Sequence, residues 1–171
     1  PEGLENFILK FKEQGFNFIS MNEYPERIKS KSSKKFIAFT IDDGYKDNLS
    51  HGLPVFEKHN VPFTIYVSNC FPNNQAIYWW YFLEDFVKRN KAIDLRGIGI
   101  DYCEPIIDPS TTYKKVRELI RKSDYTTHKK FAKDVCQINN QELLHLNEKL
   151  NLTWDEVKSL SKNTLVEIGG H

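Results

Sequence analysis

The first part of the chain carries apolar residues at the spacing of a helix. Residues 2–14 have one apolar helical face, and Gly15 after them is a typical stop signal. That face consists of Leu4, Phe7, Ile8 and Phe11. Residues 20–23 have the Ser-x-x-Glu pattern of a capping box. We therefore expect an amphipathic helix followed by a short second helix before residue 30.

Continuous apolar runs replace this spacing in the next part of the chain. Residues 36–41 predict a strand that is buried on both faces, and residues 61–68 predict a second strand. Residues 47–60 between them predict a helix that Pro54 breaks or delays. Strand, helix and strand at this spacing indicate a right-handed βαβ unit with parallel strands. Ligands of such sheets bind at the carboxyl ends of the strands.

The middle of the chain has a helical pattern. Helices are predicted over residues 78–90, 112–122, 127–138 and 141–150. Residues 97–102 between them predict a short strand. Roughly eighty residues is far more than the 2 to 6 that usually connect a strand to a helix. The pattern therefore predicts a helical insertion on the sheet.

One more helix and one more strand are predicted before the last residue. Residues 153–156 form a second capping-box pattern, which begins a helix. Its apolar side consists of Trp154, Val157 and Leu160. Residues 165–168 predict a strand. If this strand is parallel to the others, its end brings His171 to the same rim of the sheet as the end of the first strand.

The composition is that of a folded chain with almost no net charge. Its 171 residues, 40% hydrophobic and 13% aromatic, are enough for a domain with a core. The formal charge of +1 gives no field that attracts a polyanion, so nucleic acid is not expected as a partner. The cysteines Cys70, Cys103 and Cys136 form no CxxC pair and are too few for a disulfide framework. No apolar run has the length of a membrane helix, and nothing indicates an oligomeric state.

Two adjacent carboxylates, Asp42 and Asp43, follow the first predicted strand. Neighbouring carboxylates at a strand end repel each other unless a cation or a proton lies between them. A divalent metal meets this condition, because one carboxylate can bind the metal while the other takes a proton from water. The pair therefore indicates metal-assisted hydrolysis, with His171 as a candidate further ligand.

Two stretches resemble the NodB-type polysaccharide deacetylases, carbohydrate esterase family 4. Thr40-Ile-Asp-Asp-Gly44 is similar to the first motif of that family, usually T-F-D-D-G. Glu167-Ile-Gly-Gly-His171 is similar to the lead into the second motif, H-[ST]-x-x-H. The resemblance implies that Asp42 is the general base and that Asp43 and His171 are metal ligands. The metal it implies is zinc, with cobalt and manganese as alternatives.

The resemblance also implies an activity and a setting. It implies a hydrolase that removes acetyl groups, foremost N-acetyl groups, from a bacterial polysaccharide or oligosaccharide. It further implies a secreted, periplasmic or envelope-associated protein, although no signal-peptide pattern is seen. The sugar itself and the choice between N- and O-acetyl are not indicated.

The family pattern continues beyond His171 with a second histidine ligand and a catalytic acid. Segments 15–20, 54–67 and 153–160 also resemble the family, so the resemblance covers about half of the chain. We therefore expect residues 1–171 to be the N-terminal part of one deacetylase domain. The expected fold is α/β: a partial distorted (β/α) barrel with parallel strands and a large helical insertion over about 71–150. We expect this part alone to be inactive, because catalytic zinc usually has three protein ligands.

Other interpretations of the same residues compete with this one. Asp-Asp-Gly is by itself only a turn signal. A haloacid-dehalogenase phosphatase needs Asp-x-Asp, which Gly44 excludes, and a receiver domain needs an aspartate on a later strand. A catalytically inactive deacetylase-like carbohydrate-binding module remains an alternative. The aromatic residues 78–81 could stack on sugars, but helical spacing favours packing within the insertion.

Overall fold

The structure is a computed structural model that describes residues 2–30 and 34–171. The chain forms two compact units. The first comprises the residues up to Gln75 together with Asn147–His171, and the second comprises Ala76–Leu146. Each unit has its own cluster of buried apolar side chains, and the two clusters share no residue.

The elements follow in a mixed order of helices and strands. The α-helices are α1 (Glu2–Glu13), α2 (Tyr24–Lys29), α3 (Leu53–His59), α4 (Trp79–Arg89), α5 (Pro109–Arg121), α6 (Tyr125–Lys130), α7 (Asn140–Leu150) and α8 (Trp154–Leu160). The strands are β1 (Asn17–Phe18), β2 (Phe36–Ile37), β3 (Phe39–Asp43), β4 (Phe63–Val67), β5 (Ala92–Asp94), β6 (Cys103–Pro105) and β7 (Val166–Gly170). Short π-helical segments cover Asn48–Gly52 and Phe131–Val135, and a 3₁₀ turn covers Arg96–Ile98.

A parallel sheet with the order β3-β4-β7 forms the centre of the first unit. In register, Phe39, Phe63 and Val166 are neighbours across the three strands, and the next row is polar. Because side chains alternate between the faces of a strand, one face of the sheet is apolar and the other polar. The apolar face packs in the core with Ile8, Val55, Phe56, Leu152, Val157 and Leu160. The polar face carries the rows Thr40, Thr64, Glu167 and Asp42, Tyr66, Gly169.

The predicted βαβ unit and its parallel strands are confirmed. The prediction that residues 36–41 form one strand buried on both faces is wrong. The chain breaks at Ala38 into β2, which pairs with β1, and β3, which pairs with β4. Thr40 and Asp42 are exposed because they lie on the polar face of the sheet. The apolar run indicated burial, but only one side of β3 contributes to the core.

The helix predicted over residues 47–60 consists of two parts. A π-helical segment, Asn48–Gly52, comes first, and α3 begins at Leu53 with Pro54 in its first turn. Proline is tolerated there because the first backbone N–H groups of a helix have no partner within it. The predicted break at Pro54 is therefore confirmed.

The second unit is mostly helical, and the four helices predicted for the middle of the chain are present with shifted ends. The strand predicted over residues 97–102 is wrong. Gly99 there has φ +87°, and the residues form a turn that follows the Arg96–Ile98 3₁₀ turn. This turn joins β5 and β6, an antiparallel pair that the sequence pattern did not predict.

The aromatic residues 78–81 mainly pack within the second unit. Tyr78 and Trp79 are buried, and Trp80 is half-buried. Trp79 and Trp80 meet edge to face, with ring centroids 5.5 Å apart. The packing interpretation of this segment is therefore confirmed for its first residues, while Tyr81 is exposed.

Both predicted capping boxes are formed, but only one of them lies at the first residue of a helix. Thr153 and Glu156 exchange side-chain and backbone hydrogen bonds at the start of α8. Ser20 and Glu23 make the same exchange, yet α2 begins only at Tyr24, so this box closes a turn before the helix. The apolar side predicted for α8 is correct for Val157 and Leu160 and wrong for Trp154, which is exposed.

The fold is thus a mixed α/β structure with parallel strands, as expected. The strands of the described residues form three separate sheets, so the barrel remains a prediction. Among the described residues, no helix is long and apolar enough to cross a membrane. The three cysteines are free thiols.

Candidate active site

The two adjacent aspartates lie at the carboxyl end of β3 and differ in their surroundings. Asp42 is exposed on the polar face, in register with Tyr66 of β4 and Gly169 of β7. Asp43 is half-buried, and its φ of +77° lies in the left-handed region that non-glycine residues rarely occupy. Such a conformation costs about 1–3 kcal/mol, and the surrounding hydrogen bonds must hold it.

Hydrogen bonds hold the backbone in this turn. The carbonyl of Asp43 accepts a hydrogen bond from the Ser68 N–H at 2.9 Å, and the carbonyl of Asp42 accepts one from the Gly44 N–H at 3.1 Å. Gly44 follows with φ +113°, and a β-carbon there would lie 3.4 Å from a methyl group of Val67. The sharp turn after β3 therefore rests on the end of β4.

His171 reaches the same rim from β7. Its backbone N–H donates to the Val67 carbonyl at 3.1 Å, which extends the pairing of β7 with β4 by one residue. Its Nδ1 atom lies 3.4 Å from Oδ1 of Asp43. The structure therefore brings together the two residues that the sequence predicted to be metal ligands, although their role as ligands stays a prediction.

The surroundings of Asp43 change its pKa. Burial raises the pKa of this carboxyl, the charge of His171 lowers it, and the charge of Asp42 raises it again. The net direction is upward, because burial disfavours the charged form. Asp43 is thus a carboxylate that a bound cation would stabilise.

The chemistry and spacing of these donors fit a zinc-like metal. Two atoms that each lie about 2.0–2.1 Å from a tetrahedral zinc are about 3.3 Å apart, close to the 3.4 Å between Oδ1 of Asp43 and Nδ1 of His171. Carboxylate oxygen and imidazole nitrogen are both ordinary zinc ligands. Within residues 2–30 and 34–171, however, no group of three or more His, Cys, Asp or Glu side chains could hold a metal. The described residues therefore supply two ligands.

A returning segment of the chain, which the sequence did not connect with the site, supports this rim. The Leu152 N–H donates to the Gly44 carbonyl at 2.9 Å, and the Lys46 N–H donates to the Leu150 carbonyl at 2.7 Å. Residues 150–152 thereby pair with the turn that follows Asp43. The only local signal was the short run of Asn151 and Leu152 between two predicted helices, which does not identify a partner.

Asn151 connects this segment with two others. Its Nδ2 donates to the Phe71 carbonyl at 2.7 Å and to Oδ1 of Asn147 at 2.8 Å. Both asparagines are buried. Since a buried amide group without partners is costly, these hydrogen bonds fix the residues around Phe71 and around Asn147 relative to each other.

Two of the other histidines have partners outside the candidate site. Nε2 of His59 lies 2.9 Å from a carboxylate oxygen of Glu5, and Nε2 of His128 lies 2.9 Å from the Ile120 carbonyl. We assign no site role to either residue.

The family comparison agrees with the sequence motifs. A family model described as polysaccharide deacetylase matches residues 29–171. Among solved structures, the chain is similar to the BpsB deacetylase domain from Bordetella bronchiseptica, with 17% identity and a TM-score of 0.50. It is also similar to a de-N-acetylase from Aggregatibacter actinomycetemcomitans, with 16% identity and a TM-score of 0.46. Each match covers 98% of this chain and 42% of the other. No curated protein sequence matches significantly.

The comparisons support different conclusions, one about the family and one about the fold. The family match covers most of the chain and includes Asp42, Asp43 and His171. The likeness to the Bordetella domain, at this identity, concerns the fold alone. The chain spans less than half the length of either solved structure.

Proposed function

Because the chain belongs to the polysaccharide deacetylase family, we propose that it carries the general base and part of the metal site of a metal-dependent hydrolase. The hydrolase removes acetyl groups, foremost N-acetyl groups, from sugars of a bacterial polysaccharide. The observation that carries this proposal is the 3.4 Å approach of His171 Nδ1 to Asp43 Oδ1 at the carboxyl ends of parallel strands. Ligand sites of α/β sheets lie at that end.

The residues have separate roles in this proposal. Asp43 and His171 would hold the metal, which supplies a Lewis acid that polarises the acetyl carbonyl and acidifies water. Asp42 is exposed, so it can accept a proton from a water molecule at the rim. That water's oxygen would then bond to the acetyl carbon. The bond between the acetyl carbon and the sugar's nitrogen would break as the nitrogen takes a proton from the family's catalytic acid, so that acetate and the amino sugar leave.

The proposal includes a larger fold than the described sheet. The strands β3, β4 and β7 would be early strands of a distorted (β/α) barrel that an insertion over about 71–150 interrupts. The parallel order β3-β4-β7 supports this fold. Catalytic zinc usually has three protein ligands, and the described residues bring two together. Turnover would therefore need more of the domain than residues 1–171.

Two substitutions in the full-length protein test the roles. Asp43→Ala should lose both metal and activity, because it removes a ligand. Asp42→Asn should keep the metal and lower kcat by about 100-fold or more, the scale for loss of a general base. The exposed Asp101→Asn in the second unit is a matched control that should change neither. Metal content by elemental analysis and acetate release from an N-acetylglucosamine oligomer are the measurements. Normal turnover of Asp42→Asn would contradict the assignment of the base.

A catalytically inactive, carbohydrate-binding relative is the second candidate function. The described residues bring two donors together, and binding a sugar would not require a complete metal site. Metal analysis of the full-length protein separates the two functions. Stoichiometric zinc, cobalt or manganese with acetate release supports the enzyme, whereas sugar binding without metal supports the binding module.

A further inference from the structure

Trp154 is a large aromatic residue that the fold leaves exposed and yet holds in place. Trp154 is 51% exposed, whereas Trp79 is buried and Trp80 is half-buried. The indole Nε1–H of Trp154 donates to Oδ1 of Asn73 at 2.8 Å. The hydrogen bond therefore restricts the indole, while about half of the residue's surface remains in contact with solvent.

Both partners of this hydrogen bond lie on segments that are bonded directly to the turn after β3. Trp154 comes two residues after Leu152, whose N–H donates to the Gly44 carbonyl at 2.9 Å. Asn73 follows β4 in the loop that begins at Ser68, whose N–H donates to the Asp43 carbonyl at 2.9 Å. Trp154 is thus placed on the same rim of the first unit as Asp43.

An exposed indole whose orientation is restricted can bind the apolar face of a sugar ring. Exposing its apolar surface to water is unfavourable, and covering that surface on binding recovers this free energy. The hydrogen bond to Asn73 restricts the side chain in advance, so little conformational entropy is lost when a ligand binds. A pyranose ring has an apolar C–H face and a polar rim of hydroxyls, which matches an apolar ring with polar neighbours. The neighbours Thr153 and Asp155 are polar and exposed, which disfavours an extended apolar protein interface.

We propose that Trp154 is a platform on which a pyranose ring of the substrate chain stacks, next to the sugar that loses its acetyl group. This inference rests on the proposed function, because it extends the same site along a polysaccharide. It makes the enzyme selective for chains over single sugars. Asn73 is a positioning residue, since it acts by orienting the indole.

Kinetics with substrates of different length test this inference in the full-length protein. For an N-acetylglucosamine pentamer, Trp154→Ala should raise KM about tenfold, the scale for loss of one aromatic anchor, with little change in kcat. For the monomer, KM should not change. Asn73→Ala should raise the pentamer KM by a smaller factor, and Asn73→Asp, which keeps an acceptor for the indole N–H, should not.

Tyr81→Ala, which removes an aromatic residue of similar exposure (45%) from the second unit, is the control and should have no effect. If Trp154→Ala leaves the pentamer KM unchanged while the wild type is active, the inference is overturned and the proposed function stands.

An NMR titration keeps the two questions apart if no acetate is released. The Trp154 indole N–H resonance, assigned with Trp154→Phe, should shift with the pentamer and stay fixed with the monomer. A shift without turnover supports the platform and contradicts the hydrolase. No shift and no turnover overturn both.

Discussion

Gly169 occupies a position of the sheet that has no room for a side chain. A β-carbon there would lie 2.6 Å from Cδ1 and 2.7 Å from Cε1 of the Tyr66 ring, which crosses β7 at this point. A side chain two residues before His171 would therefore require the Tyr66 ring to move, and the φ of Gly169 is not in the left-handed region. Gly169 and Tyr66 lie in the same row across the sheet as Asp42.

We predict that Gly169→Ala destabilises the fold, because the Tyr66 ring must move to avoid the new methyl group. The expected loss in the free energy of unfolding is about 1–3 kcal/mol, typical of overpacking. Gly170→Ala is the matched control, since nothing lies within 4 Å of a β-carbon at that residue. Urea unfolding followed by circular dichroism measures both variants. Equal midpoints for the two would show that Tyr66 moves without cost.

The proximity of the candidate site residues was predictable because each of them lies at the end of a strand. Asp42, Asp43 and His171 follow apolar runs, and the carboxyl ends of parallel strands meet at one rim, so their proximity could be predicted. The left-handed backbone of Asp43 and the bond from Leu152 to Gly44 could not, because they depend on residues distant in sequence. The exposure of Trp154 was mispredicted for the same reason: helical spacing does not say whether a first-turn residue reaches the core.

Helix α8 begins with a complete capping box. The Thr153 hydroxyl accepts a hydrogen bond from the Glu156 N–H at 3.2 Å, and the Glu156 carboxylate accepts one from the Thr153 N–H at 2.7 Å. We predict that Thr153→Ala lowers the free energy of unfolding by about 1 kcal/mol, because it leaves a first-turn N–H without its partner. Ser159→Ala, at an exposed position within the same helix, should have little effect. Thermal unfolding of the two variants measures the difference, and a Thr153→Ala variant as stable as the wild type would contradict a stabilising role of the cap.

Helices α1 and α3 are joined by charged groups. Lys58 Nζ lies 2.6 Å and His59 Nε2 lies 2.9 Å from Oε1 of Glu5. The hydrogen bond from Lys58 and then that from His59 lower the pKa of the Glu5 carboxyl. Since the folded pKa lies below the unfolded one, Glu5 contributes stability above the unfolded pKa, near 4.5, and loses it as pH falls through the folded value.

We therefore predict a stability difference between the wild type and Glu5→Gln that depends on pH. At pH 7 the variant should be less stable, and the difference should shrink as the pH falls below about 4.5, the unfolded value, and on through the lower folded pKa of Glu5. The exposed Glu26→Gln on α2 serves as the control. Urea unfolding between pH 3 and pH 7 measures the difference. An effect that does not vary with pH would mean that packing rather than charge joins the two helices.

At the level of elements, long periodic segments were predicted well and short ones were not. The helix of residues 2–14 and the strand of residues 61–68 are confirmed, because each is long enough for its pattern to identify it. Of the predicted apolar face of α1, Ile8 is buried, Leu4 and Phe11 are half-buried and Phe7 is exposed. The pair β5 and β6 was missed because each strand has three residues and Ile93 alone among them is buried. Its pairing is set by the turn at Gly99 and by the packing of the second unit, which a local pattern does not encode.

At the scale of the whole molecule, the chain has two apolar cores that share no residue. We predict that Leu83→Ala, at a fully buried position of the second unit, costs about 2–5 kcal/mol and acts mainly within that unit. Hydrogen exchange read by mass spectrometry should show faster exchange in α4 and α5 and an unchanged rate in β4. Phe56→Ala in the first unit should give the reverse pattern. Equal acceleration in both units would mean that the two cores unfold as one cooperative structure.

The hydrogen bonds of Asn151 to Phe71 and Asn147 have a consequence for how freely the intervening polypeptide can vary. They join the ends of the first unit on either side of its interruption between Gln75 and Asn147. The first unit therefore requires that the intervening segment return the chain to this point, but it does not depend on the sequence of that segment. Loop-closure entropy grows slowly with length, and closing roughly seventy residues instead of ten costs only about 2 kcal/mol more. The segment between Gln75 and Asn147 can therefore be shortened, extended or exchanged in descendants of this sequence while the aspartates and the histidine keep their geometry.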